Sequence, residues 1–188
     1  MSFREFYNSV LGTALTTNDA LPFVVEKVHF KKGELITPYG KVEDMVYFMN
    51  AGIVEMSIKS YMTEKIIDFF FKNELFCGLT SFLTQLPTDV QIVALMDCEM
   101  EMIAHSSLMS AYETSLETNK FGRIITEQGY IRKSNREKDF LTKTAEERYE
   151  EMFESRSQYI SNIPVNKIAK YLGIHPESLS RIRKKMSS

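Results

Sequence analysis

At 188 residues, with 44% hydrophobic and 12% aromatic side chains, the chain can bury one large core or a medium and a small one. No run approaches eighteen apolar residues, so no membrane-spanning helix is expected, and the opening MSFREFYNSVLG lacks the apolar core of a secretion signal. The net charge of −2 hides an asymmetry: from Ser155 onward seven Lys or Arg residues stand against Glu177 alone, so this tail carries +6 and the rest −8.

A small basic end on an acidic body fits a protein that meets a polyanion at one end only. Two cysteines, Cys77 and Cys98, make no disulfide framework and point to a reducing, cytoplasmic setting.

In chain order, residues 1–20 hold a short amphipathic helical pattern with Phe3, Phe6, Tyr7 and Val10 at helix spacing. From Phe23 to about His105 the texture changes to short β-rich runs: 24–30, 45–50, 53–60, 64–71, 90–96 and 99–104. Gly33, Pro38, Gly40, Gly52 and Pro87 punctuate them, which predicts an antiparallel barrel or sandwich. Alternation is clear in 53–59, where Ile53, Glu55, Ser57 and Lys59 oppose Val54, Met56 and Ile58.

After Ala104 the strands stop. Residues 106–133 read as one long helix with Met109, Tyr112, Leu116, Ile124 and Ile131 as a seam for a second copy, despite Gly122 and Gly129. A further helix is expected at 137–153, with Phe140, Leu141, Thr144, Tyr149 and Phe153 inward.

The end of the chain, VNKIAKYLGIHPESLSRIRKK, carries the strongest pattern. Val165, Ile168, Ala169 and Leu172 fall at i, i+3, i+4 and i+7, and Gly173 suits the left-handed turn that ends a helix. Ile174 plugs the angle, Pro176 and Glu177 suit the start of a second helix, and Leu179, Ile182 and Met186 form its inward side. Glu177, Ser178, Ser180, Arg181, Lys184 and Lys185 remain outward. A short basic helix after a glycine turn fits a helix-turn-helix, with Ser178 and Arg181 toward base edges and the lysines toward phosphate. A packed helical hairpin with a wet basic face is the plainer alternative.

LGIHPESLSRIRKK resembles the recognition segment of Crp/Fnr-type transcription regulators, where a Glu and an Arg four residues later contact DNA. Glu177 and Arg181 match those positions, and TAEERY (144–149) resembles the segment that precedes the DNA-binding region. FKKGELITPYG and MNAGIVEMSIK resemble the glycine pattern of the cyclic-nucleotide-binding β-barrel, with Gly33, Gly40, Gly52 and Gly78 at its tight turns. The resemblance implies an α+β chain in three parts. Residues 1–105 would form an N-terminal antiparallel β-barrel of the jelly-roll kind, 106–136 a long dimerisation helix, and 137–188 a small helix-turn-helix domain. Its implied partners are a palindromic double-stranded operator, a second copy of the chain, and RNA polymerase, with no membrane. Because the sequence stops at Ser188, the β-hairpin wing that follows the recognition helix in many family members is not expected.

The family's ligand cassette has a Gly-Glu pair and an Arg ten residues after the Glu, which hold the ribose and the cyclic phosphate. In CGLTSFLTQLPTDVQIVAL, Gly78 is kept, but Leu79 stands at the Glu position, followed by Thr80, and Asp89 stands at the Arg position before Val90. No Lys or Arg occurs between Asn73 and Ala104, so a buried phosphate would go unpaired and cyclic AMP is not the expected effector. Phe69, Phe70, Phe71, Phe76, Phe82 and Met96 would permit an apolar ligand or simply fill the core. Haem on His29, His105 or Cys77, a redox thiol at Cys77, and a ligand-free scaffold are further alternatives, while two cysteines fall short of an iron–sulfur site. No HExxH, P-loop or nucleophile–base pairing marks an enzyme. The competing function class is a binding module that signals through protein partners instead of DNA.

Overall fold

The computed structural model describes residues 1–61 and 63–186. Helix α1 (Phe3–Leu11) starts at a capping box in which Ser2 and Glu5 satisfy each other's backbone N–H groups. Eight strands follow: β1 (Glu26–Phe30), β2 (Leu35–Thr37), β3 (Met45–Ala51), β4 (Val54–Lys59), β5 (Glu64–Phe70), β6 (Leu75–Phe76), β7 (Val90–Ala94) and β8 (Cys98–Ala104). A short helix, α2 (Leu79–Thr84), lies between β6 and β7. The strands form two antiparallel four-stranded sheets, ordered β1-β8-β3-β6 and β2-β7-β4-β5. Tyr47, Met49 and Met100 of the first meet Val54, Met56 and Ile92 of the second in a shared core. All six expected β-rich runs form strands; β2 and β6 were missed because three and two residues are too few to show alternation.

Helices fill the rest: α3 (His105–Thr114), α4 (Leu116–Thr142), α5 (Ala145–Ile160), α6 (Val165–Leu172) and α7 (Pro176–Met186). The single helix expected over 106–133 is broken at Ser115, whose backbone is extended (φ −130°, ψ 113°) and whose hydroxyl caps α4 by accepting from the Thr118 N–H. Leu116 therefore starts a new helix and stands 87% exposed instead of continuing a seam from Tyr112. The second break also differs from expectation, because α4 runs on to Thr142 and Thr144, with Glu147, makes the capping box of α5. Of the five residues expected inward on 137–153, only Tyr149 is fully buried, alongside Met152; Leu141 is 78% exposed. The end of α7 departs as well, with Met186 exposed. The expectation about a wing after α7 concerns residues beyond Met186 and lies outside the described residues.

Two further cores tie the parts together. Phe3 and Tyr7 of α1 pack with Phe23, Phe48 and Phe121, so α1 fastens α4 to the first sheet. Phe3 meets the rings of Phe48 and Phe121 edge-on, each at 5.8 Å between centroids. In the other core, Ile168, Ala169 and Leu172 of α6 and Leu179 of α7 are buried with Tyr149, Met152, Ile160 and Ile163. That cluster continues onto Ile66 and Phe69 of β5 and onto Ile53 and Phe71, which flank β4 and β5. The terminal helices thus sit on the outer face of β4 and β5, which explains why Glu55 and Ser57 are buried along with the inward Val54 and Met56.

Replacing Ile168 by Ala removes a fully buried branched side chain from this shared cluster. Denaturant titration should show a loss of about 2–5 kcal/mol. A loss within experimental scatter would mean that α6 is not anchored by its apolar face.

Candidate nucleic-acid interface and ligand cassette

Gly173 ends α6 in the left-handed conformation (φ 75°), and its N–H bonds the Ala169 carbonyl, so the chain turns sharply into α7. Leu179 is fully buried beneath α7, and this one-sided anchoring leaves Glu177, Ser178, Ser180, Arg181, Lys184 and Lys185 exposed on its outer side. The structure brings all six onto one helix. Ser180 donates to the Pro176 carbonyl at 3.0 Å, and Lys185 pairs with Glu146 at 2.7 Å. Arg183, outside the expected set, donates from Nε to the Tyr149 hydroxyl at 2.9 Å and helps hold α7 on α5.

Part of the basic tail does not face outward. Lys167 forms an ion pair with Glu55 in mid-β4, Lys170 lies 3.7 Å from Glu64, and Arg156 pairs with Glu74 at 3.1 Å. Burial alone would raise Glu64, but hydrogen bonds from Ser57 and Tyr39 and the charges of Lys170 and Lys167 hold it below the usual glutamate value. Arg136 stacks 4.7 Å over Tyr171 and Arg156 stacks 4.4 Å over Phe71, so cations from α4 and α5 close the edges of the junction.

The five cassette positions Gly78, Leu79, Thr80, Asp89 and Val90 all line one cleft of about 1200 Å³, whose walls include Met56, Phe70 and Phe76 and, across the opening, Ile125, Gly129 and Arg132 of α4. Gly78 precedes α2 without a left-handed backbone (φ −71°), unlike Gly33, Gly40 and Gly52. Its need is space: an added Cβ would lie 3.2 Å from Thr88 Oγ1 and 3.3 Å from Val90. Leu79 and Asp89 are both exposed.

Glu43 takes the polar place beside Gly78. It is 2% exposed, and its Oε2 accepts from the Thr37 hydroxyl (2.6 Å) and the Gly78 N–H (3.2 Å). The Glu43 N–H in turn donates to Ser81 of α2 at 2.9 Å. Burial pushes the Glu43 carboxyl above the usual range, against the hydrogen bonds from Thr37, Gly78 and Met45. The cations lining the cleft come from other elements, and Arg132 is already committed to Asp68 (2.9 Å) and Glu74 (3.4 Å).

Residues 27–115 match the family model of the cyclic nucleotide-binding domain. Among solved structures, the chain superposes on FixK2 from Bradyrhizobium japonicum with a TM-score of 0.74 at 20% identity, covering 87% of this chain and 85% of that one. The c-di-GMP-responsive global regulator CLP of Xanthomonas campestris gives 0.68 at 15%, covering 87% and 86%. A Crp/Fnr-family regulator from Eubacterium rectale gives 0.69 at 16%, covering 87% and 78%. The fold is that of the Crp/Fnr regulators. A search of curated proteins finds no significant match to the sequence.

The five cassette positions line one cleft, and two further features of it have no signal in the sequence. Glu43 is remote in sequence from Gly78, and nothing in GKVEDMVYF marks it as the residue that turns in toward α2. Arg132 of α4 also lines the cleft, and its pairing with Asp68, 64 positions away, has no local signature. Burial and then the nearby Glu43 charge push the Cys77 thiol well above its ordinary value, which keeps it in the unreactive form. His105 packs edge-on against Phe82 at 4.8 Å, and His29 is exposed on β1. Among the described residues no group of three His, Cys, Asp or Glu side chains could hold a metal.

A glutamate raised on folding binds its proton more tightly in the folded state. Its contribution is fully present below the ordinary value near 4.5 and is lost as pH rises through the raised one. Glu43→Gln cannot lose that proton and keeps an acceptor for Thr37 and Gly78. Its stability relative to the parent should therefore improve as pH rises above about 4.5. Parallel stability profiles in chemical denaturation would show that Glu43 is not strained by its burial.

Proposed function

We propose that this chain is a sequence-specific, DNA-binding transcription regulator of Crp/Fnr type, acting as a homodimer on a palindromic operator. The observation that carries the reading is the one-sided anchoring of α7: Leu179 is fully buried while Glu177, Ser178, Ser180 and Arg181 stand exposed at its N-terminal half. In this reading those four face base edges in the major groove, and Lys184 and Lys185 face phosphate, Lys185 exchanging Glu146 for the backbone. The second copy covers the exposed apolar side chains of α4, among them Tyr130, Ile131 and Leu141, in keeping with a two-fold operator. RNA polymerase is the partner such a regulator acts on, and no residue of this chain is assigned to that contact. Catalysis has no place in the reading.

The effector is not a cyclic nucleotide held in the family's usual way. Asp89 stands where the phosphate-pairing Arg would be, and the acceptor carboxylate of Glu43 is already bonded to the backbone of Gly78. The cleft is otherwise walled by Met56, Phe70 and Phe76, which suits an apolar effector or none.

The test is selection of binding sites from random duplex DNA by purified protein without added ligand, run beside Arg181→Ala. A palindromic motif should emerge with half-sites about 34 Å apart. The variant should bind with relaxed preference at one position per half-site, at a cost of about 1–3 kcal/mol. An unchanged motif would contradict the placement of Arg181. Absence of any binding at low salt would favour the reading in which the chain signals through a protein partner.

A further inference from the structure

Apolar contacts hold α6 on the second sheet, but they are non-directional, and a helix of eight residues can slide or roll on them. Besides the tilted ring contact of Tyr171 with Phe69 at 5.4 Å, the polar contacts from α6 to that sheet, among the described residues, are the ion pairs Lys167–Glu55 and Lys170–Glu64. They are unequal. Lys170–Glu64 is long and half in solvent, which makes it weak. Lys167–Glu55 is shielded, and Glu55 is 2% exposed in the middle of β4.

Glu55 is also incompletely satisfied: one carboxylate oxygen takes Lys167, and the other has no hydrogen-bond partner among the described residues. A buried ion pair with an unmatched oxygen is poor value as a stabiliser, since a hydrophobic pair of similar volume does as well or better. What it supplies is geometry. Each wrong placement of α6 strands a buried carboxylate, so a single register is selected. Because α7 follows α6 across a three-residue turn and shares its core, that register sets where α7 points.

We propose that Lys167 and Glu55 are a positioning pair that fixes the orientation of the recognition helix α7 relative to the β-sheets, and so the half-site spacing the dimer accepts. The proposal rests on the DNA-binding reading for its functional half; the orientation itself is a property of the chain alone. Lys167 is therefore not a phosphate contact, although it belongs to the basic tail.

The test compares the parent with Glu55→Gln/Lys167→Met in two readouts. Spin labels at Lys27→Cys on β1 and Asn166→Cys on α6, both exposed positions, report the distance between the sheets and the terminal helices without DNA. The expected result is one narrow distance in the parent and a broadened or split distribution in the double variant, with an unfolding midpoint equal or higher. In site selection, altering the spacing by one base pair should weaken parent binding on the order of tenfold and the variant markedly less. Lys167→Arg, which keeps the charge, should behave as the parent in both. A narrow distribution in the double variant would overturn the proposal, as would a variant that fails to fold, because the pair would then serve stability. If the parent selects no DNA motif while the distribution still broadens, the DNA reading falls and the positioning role stands.

Discussion

The seating of α6 on the outer face of β4 and β5 is the contact on which the rest depends. A strand whose two faces are both buried needs a covering element, and here the cover is the first helix of the terminal pair. Ile66 and Phe69 of β5 and the flanking Ile53 and Phe71 share one cluster with Ile168, Ala169, Leu172 and Leu179. The putting together of these side chains removes a large apolar face from water, a stabilisation of order 2 kcal/mol for each side chain fully buried. It also makes α7 part of the same packed body as the sheets, instead of a bead on a tether.

That continuity gives the altered cassette its meaning. A cassette that captures phosphate gains free energy from pairing a buried charge, and that energy can move helices. Here the chain places its own carboxylate, Glu43, against Gly78 and Thr37, and Asp89 is exposed on the same cleft; in the proposed reading it stands where a cation is required. A phosphate arriving there would meet two acids. The apolar walls of the cleft adjoin α4, which lines it and leads directly into α5 and the terminal helices.

Much of this was legible in the sequence, for reasons that differ by element. The strands could be read because Val, Ile, Phe and Tyr recur in short runs between glycines, and α6 and α7 because their apolar residues repeat at helical spacing around Gly173. The outward set from Glu177 to Lys185 followed from the same spacing. The helix boundaries at Ser115 and Thr144 were hidden, since a serine or threonine inside a polar helix reads as one more solvated position until its hydroxyl is seen to cap. Charge composition misled in one respect: Lys167 and Lys170 count toward a basic tail but are turned toward Glu55 and Glu64. Pairings between residues more than a hundred positions apart have no local signature, and neither does a glutamate folding back on a short helix.

Native-state amide hydrogen exchange tests the shared core most directly. The account predicts that the amides of Ile168, Ala169 and Leu172 in α6 exchange with the same opening free energy, and the same denaturant dependence, as Met56 and Ile66 in β4 and β5. Exchange of α6 and α7 at a much lower opening free energy, with the sheet amides still protected, would contradict it. The terminal helices would then be an independent unit resting on the sheet, and the orientation of α7 would have to be set elsewhere.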